Sequence, residues 1–124
     1  MSVPSNLKYV DTHEWVDVQG NEGVIGLTAH AVKLLGDVVY LELPKIGDTI
    51  AEGASIGVVE SVKAASDIYT PVSGKIVAVN DVVLGDPALL NQDAYVNWLY
   101  RVEFTKAEEL EALMSAEDYQ AAIS

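Results

Sequence analysis

The chain has 124 residues and a mass of 13.3 kDa, the size of one domain, and half of its residues are apolar, enough for a compact core. Seven basic residues stand against nineteen acidic ones, a formal charge of −12 with no cluster of Lys or Arg, which disfavours nucleic-acid phosphates and anionic membranes and favours basic patches on protein partners. There is no cysteine, so disulfides and thiolate chemistry from the polypeptide itself are excluded.

Met1 to Asn6 has neither the basic nor the apolar region of a secretory signal and is not Arg-rich like a transit segment, so the expected compartment is cytoplasmic. No apolar stretch reaches the length of a membrane span. Trp15 to Gln19 alternates, with Val16 and Val18 on one face. Gln19-Gly20-Asn21-Glu22 is a turn, and Gly23 to Leu27 returns, which makes a hairpin. Thr28 is placed as the N-cap of a short helix from Ala29 to Leu35, and Gly36 as its closing glycine. Ala31, Leu34 and Leu35 are its expected apolar face.

Val38 to Leu43 reads as a strand that Pro44-Lys45-Ile46-Gly47-Asp48 breaks. Ile56 to Val62, Ser66 to Thr70 and Lys75 to Val79 are further strands. Asp86 as N-cap and Pro87 at the first helical position mark a short helical turn. Leu99 to Phe104 alternates again. Thr105-Lys106-Ala107-Glu108 has the form of a capping box opening a helix over Ala107 to Met114, with Leu110 and Leu113 packing down. Ser115-Ala116-Glu117-Asp118 is a weaker box before Tyr119. Short strands with Gly and Pro turns point to a sandwich or barrel.

Val39-Tyr40 before Pro44-x-x-Gly47 is echoed by Ile68-Tyr69 before Pro71-x-x-Gly74. Two related sheet halves would explain the echo, with the stretch around Lys63 between them. In that stretch, Ile56 to Tyr69, one lysine stands between two apolar strands, flanked by Val62 and by Ala64 and Ala65. From the residues alone, Lys63 is an accessible lysine at a hairpin tip, and it reads as a solvated surface charge like Lys8, Lys33, Lys45, Lys75 and Lys106. His13 and His30 are 17 residues apart and show no metal-ligand spacing. His13 reads as a structural hydrogen-bonding group, and Trp15 and Trp98 as core. No Ser-His-Asp order, phosphate loop or nucleophile elbow is present.

Glu60-Ser61-Val62-Lys63-Ala64 resembles the lipoylation motif of glycine cleavage system H proteins, within a longer similar run from Gly57 to Asp67 and Pro71-Val72-Ser73-Gly74. Tyr9 with His13-Glu14-Trp15 resembles the family's opening, Leu35 to Pro44 its middle, and Ser115-Ala116-Glu117-Asp118-Tyr119 its close. The likeness covers essentially the whole chain. It implies a mainly β fold with a few short helices. This is the barrel-sandwich hybrid of lipoyl and biotinyl carriers, with an N-terminal hairpin and C-terminal helices, as one lipoyl-carrier domain over residues 1–124.

The resemblance also implies lipoate joined by an amide to Lys63 and no catalysis by the chain itself. The implied partners are a glycine decarboxylase (P protein) that loads an aminomethyl group and a tetrahydrofolate-dependent aminomethyltransferase (T protein) that removes it. A dihydrolipoyl dehydrogenase (L protein) would reoxidise the dithiol, and a lipoate ligase or lipoyltransferase would attach the group. The loaded arm carries a cationic amine and is expected in a sheltered cleft. Glu14 and Asp67 are the expected acids beside it, with Thr12 and His30 as further candidates. Nucleic acid, membrane and metal are not implied.

Other readings stand beside this one. A lipoyl donor in a lipoate relay would share the motif. Lipoyl domains of 2-oxoacid dehydrogenases look like Asp-Lys-Ala at the site and lack the His-Glu-Trp opening. Biotin carriers flank their lysine with Met, where this chain has Val62 and Ala64. An unmodified binding module is a further alternative. A Schiff-base enzyme using Lys63 would need a desolvating pocket. Two departures are plain: Ala94-Tyr95-Val96-Asn97-Trp98 lacks the glycines common before the family's second Trp, and Ala29 stands before His30 where an acid is frequent.

Overall fold

A computed structural model describes residues 3–124. Among them the chain forms nine strands in two antiparallel sheets. β1 (Lys8–Tyr9), β2 (Glu14–Gln19), β3 (Glu22–Leu27), β5 (Thr49–Ile50), β8 (Gly74–Val79) and β9 (Tyr100–Phe104) make the larger sheet, ordered β1-β2-β3-β9-β8-β5. β4 (Val38–Glu42), β6 (Ser55–Ser61) and β7 (Ala65–Tyr69) make the smaller, ordered β4-β6-β7. The inner faces enclose the main core around Ile25, Val59, Ile68, Ile76, Leu99 and Val102. Two antiparallel sheets closed around one core, with short helices beside them, make the mainly β barrel-sandwich hybrid that the sequence led us to expect. No helix among the described residues is long and apolar enough to cross a membrane.

The expected hairpin is β2–β3, with register Trp15↔Gly26 and Gln19↔Glu22. β3 shows almost no polar alternation because both of its faces are covered. Ile25 and Leu27 enter the main core, while Val24 faces a second cluster of Leu7, Tyr9, Trp15, Ala116 and Tyr119. The smaller sheet explains the internal echo. Its two copies leave β4 and β7, the two neighbours of β6, and lead into β5 and β8, which pair with each other.

Helix α1 (Ala29–Leu35) starts where Thr28 caps it, its hydroxyl accepting from Ala31 N at 3.2 Å, and ends at Gly36 with φ +87°. Its buried residues are Val32 and Leu35, spaced i and i+3; Leu34, expected inside, is 60% exposed. Asp86 closes a helix instead of opening one. It follows α2 (Asp81–Gly85), its N–H reaching the Val82 and Val83 carbonyls, and α3 (Leu89–Gln92) begins after Ala88.

The Thr105 capping box does not form. Ala107–Ala112 is a 3₁₀ helix that starts after Lys106 with no side-chain cap, and the carboxylate of this segment that finds a partner is that of Glu109. It accepts from Ser73 N at 2.6 Å and Ser73 Oγ at 2.8 Å, pinning the segment to the start of β8. Leu110 and Leu113 do pack on the main core. Of the weaker box the Ser115 half forms: Ser115 accepts from Asp118 N at 3.1 Å and opens α4 (Ala116–Ala122), whose Tyr119 ring stacks on Tyr9 at 4.7 Å.

Candidate functional site

Lys63 lies at the tip of the β6–β7 hairpin, between Val62 and Ala64, and all three are exposed. Glu60 pairs with Ala65, and Ser61 N donates to Ala64 O at 2.7 Å to close the turn. The Ser61 hydroxyl fills the turn. It accepts from Lys63 N at 3.3 Å and Ala64 N at 3.1 Å. Val62 N donates outward to Asp37 O at 3.0 Å, tying the tip to the corner between α1 and β4. Every amide from Ser61 to Ala64 therefore has an acceptor, and the lysine stands, exposed, on an ordered backbone.

Glu14 opens β2 and is 1% exposed. One carboxylate oxygen accepts from the Thr12 hydroxyl and the other from Tyr69 N at 3.4 Å. Burial pushes its pKa up to about 7, Asp11 adds to the rise, and the two hydrogen bonds oppose it. A carboxyl held near neutral pH by burial is poised to take or lose a proton as a cation arrives. Tyr69 also links this acid to Asp67, two residues earlier on β7 and exposed, through a long 3.5 Å contact from its hydroxyl. The structure thus brings Thr12, Glu14 and the Asp67 strand together, a hairpin's length from Lys63.

His30 belongs to a different cluster. Its ring lies 4.8 Å from that of His13, whose Nδ1 is 2.7 Å from the Tyr119 hydroxyl. That hydroxyl is also 2.8 Å from Thr28 Oγ1, so one phenol joins β2, α1 and α4. His13 has φ +71°, held by its N–H to Val10 O at 3.0 Å, and its pKa is lowered by burial first and then by His30. It is the hydrogen-bonding group its sequence context predicted. Trp15 is 3% exposed and donates to Ala94 O at 3.1 Å; Trp98 is partly buried against the same cluster.

In the glycine-poor loop, Asp93 takes over the ordering: its side chain accepts from Tyr95 N and Val96 N. Tyr95 accepts from Ala29 N at 3.2 Å, at the position noted above as departing from the family's frequent acid. Residues that sequence reasoning missed are Tyr69, which acts through its backbone, Ser61, which sat unremarked inside the motif, and Asn91. Asn91 gave no sequence signal, since its role depends on a contact between residues more than fifty positions apart.

Comparison with known proteins agrees with this geometry. Residues 7–124 match the sequence profile of the family described as glycine cleavage H-protein. A glycine cleavage system H protein of Carboxydothermus hydrogenoformans is 55% identical over 119 residues, covering 95% of this chain and 92% of the relative. One from Photorhabdus laumondii is 52% identical, covering 97% and 94%. A crystal structure of a glycine cleavage system H protein from Mycobacterium marinum superposes with a TM-score of 0.89 at 38% identity, covering 97% of this chain and 98% of that one. This chain therefore belongs to the glycine cleavage H-protein family, whose members carry covalent lipoate on a lysine and shuttle groups between enzymes without catalysing a step themselves.

Proposed function

We propose that Lys63 is the lysine that carries lipoate, and that residues 1–124 act as one lipoyl-carrier domain. The observation that carries this reading is the turn itself: an exposed lysine on a fully hydrogen-bonded tip, flanked by exposed Val62 and Ala64. Such a tip can enter a partner's active site without unfolding anything. The residues present fit the group, because an accessible primary amine is what an activated carboxylic acid needs to form an amide. When bound, lipoate supplies the dithiolane sulfurs that hold the aminomethyl group and the reducing equivalents. The chain's function is that of the shuttle between the glycine decarboxylase, the aminomethyltransferase and the dihydrolipoyl dehydrogenase, served by a lipoate-attaching enzyme.

Amide formation removes the positive charge of Lys63. The acids around Glu14 then have no attraction for the uncharged arm, only for the cationic amine of the loaded one. Glu14 and Thr12, with Asp67 along β7, form the proposed cleft for that amine. His30 lines the neighbouring His13–Tyr119 cluster and marks its border. A cation beside Glu14 favours the carboxylate, so docking of the loaded arm releases a proton near neutral pH. The proposed compartment is the cytoplasm. The test is glycine-dependent NADH formation with the three partner enzymes. The lipoylated chain supports it and the unmodified chain does not; equal rates with both would overturn the reading.

A further inference from the structure

The Lys63 side chain does not hang free from its turn. A β-carbon at Gly36 would stand 3.3 Å from Lys63 Cε, 3.8 Å from Nζ and 3.9 Å from Cδ, so the lysine stem lies along the bare face of the glycine. Gly36 also has φ +87°, so a side chain there is disfavoured on two independent counts, and only one of them concerns the backbone. The corner from Gly36 to Val38 is fixed from both sides. On one side Asp37 O accepts from Val62 N. On the other, Asn91 on α3 uses both ends of its amide: Nδ2 donates to Gly36 O at 2.8 Å and Oδ1 accepts from Val38 N at 2.8 Å. The neighbouring elements do not require this clamp. α1 is already closed by Gly36 N to Val32 O, and β4 is paired with β6.

We propose that this corner is a platform that aims the Lys63 side chain for acylation, with Gly36 and Asn91 as its positioning residues. The proposal rests on Lys63 being the acylated lysine. In the reaction the neutral amine attacks the carbonyl carbon of a lipoyl adenylate. A C–N bond forms, the bond from that carbon to the phosphate oxygen breaks, AMP leaves and the nitrogen gives up a proton. The rate depends on how often the amine is presented in line with that carbonyl. A lysine stem has four freely rotating bonds, and lying on a surface with no β-carbon restricts them without a clash. A methyl group at residue 36 would push Cε away by a few tenths of an ångström.

The test follows initial rates of lipoyl transfer onto the apo chain, read by intact mass with lipoate, ATP and a lipoate ligase. Gly36→Ala is compared with Gly53→Ala, whose φ of +84° imposes similar strain but whose β-carbon would meet nothing within 4 Å. Asn91→Leu removes both clamp bonds, and Asn91→Asp keeps only the acceptor for Val38 N. Gly36→Ala and Asn91→Leu are expected to slow transfer by about tenfold or more. Asn91→Asp falls between them and the native rate, and Gly53→Ala stays within about twofold.

A second readout needs no ligase. With ¹³C-labelled lysine in the apo chain, a nuclear Overhauser contact between Lys63 Hε and Gly36 Hα is expected in the native protein and in Gly53→Ala, and is lost in Asn91→Leu. Acylation of Gly36→Ala as fast as Gly53→Ala, or no such contact in the native chain, overturns the proposal. A native chain that shows the contact but is never acylated at Lys63 overturns the attachment reading, and the proposal with it; a native chain acylated at Lys63 without the contact overturns the proposal alone.

Discussion

The lysine turn and the acid corner place their functional groups in opposite ways. At the turn, side-chain and backbone groups order the main chain: the Ser61 hydroxyl and the Asp37 carbonyl take the tip amides, and Lys63 is exposed. At the corner, the candidate group is itself the one that is ordered. Glu14 is buried, holds a hydroxyl and an amide, and has its pKa displaced to about 7. A group that must travel to several enzymes needs an exposed anchor on a firm base. The cation recognition proposed for Glu14 fits a fixed, poorly solvated place where each interaction is stronger than in water.

The largest effect belongs to the turn. Lys63→Arg keeps the charge and the fold but offers no amine that forms the lipoyl amide. Glycine-dependent NADH formation in the reconstituted system is expected to fall to background, with an unchanged circular dichroism spectrum. Residual activity above background would place the carrier lysine elsewhere.

The acid corner yields a pH dependence. The Glu14 pKa is raised on folding from 4.5 to about 7, so the folded state binds the proton more tightly than the unfolded state. The stability this contributes is present below pH about 4.5 and lost as pH rises through about 7, on the order of 3 kcal/mol. Urea denaturation at the two ends of that window should show the slope in the native chain and lose it in Glu14→Gln. An unchanged slope in the variant would show that another group sets it.

Next in size is Tyr119→Phe. It removes the hydroxyl shared by His13 and Thr28, which is expected to cost about 1–3 kcal/mol in the urea midpoint analysis. Lipoylation at Lys63 should continue, because the turn lies outside that cluster. The smallest effect is Ser61→Ala. The amides it serves lie at an exposed tip where water can replace the hydroxyl, so the expected cost is about 0.5–1.5 kcal/mol, read in the same way. Of these last two variants, only Ser61→Ala should also slow lipoyl transfer, because it loosens the base of Lys63.

The legibility of the two regions also differs. The turn is written locally: strand, small residues, strand, with the lysine between them, and the motif supplies its meaning. Helix α1 was equally plain from Thr28 and Gly36, since caps are local signals. The acid corner was legible only as nominations. Glu14 and Thr12 do meet, but His30 turns to His13, and Tyr69 enters through a backbone N–H that no side-chain pattern announces. The two capping boxes teach the same point. Ser115 caps as written, while the helix after Thr105 starts one residue later without a cap and its Glu109 finds Ser73 across the fold. Leu34 faces outward because the helix presents Val32 and Leu35 to the core, a choice of face that seven residues cannot fix by themselves. Asn91 is the extreme case, since its partners are distant in the chain and both are backbone atoms.

The most direct test of the carrier reading is a peptide mass map of the chain produced in cells with lipoate and a lipoate ligase. The account predicts one lipoyl-sized increment, on the peptide containing Lys63, with Lys8, Lys33, Lys45, Lys75 and Lys106 unmodified. An unmodified Lys63 peptide under those conditions, or the increment on any other lysine, would contradict it.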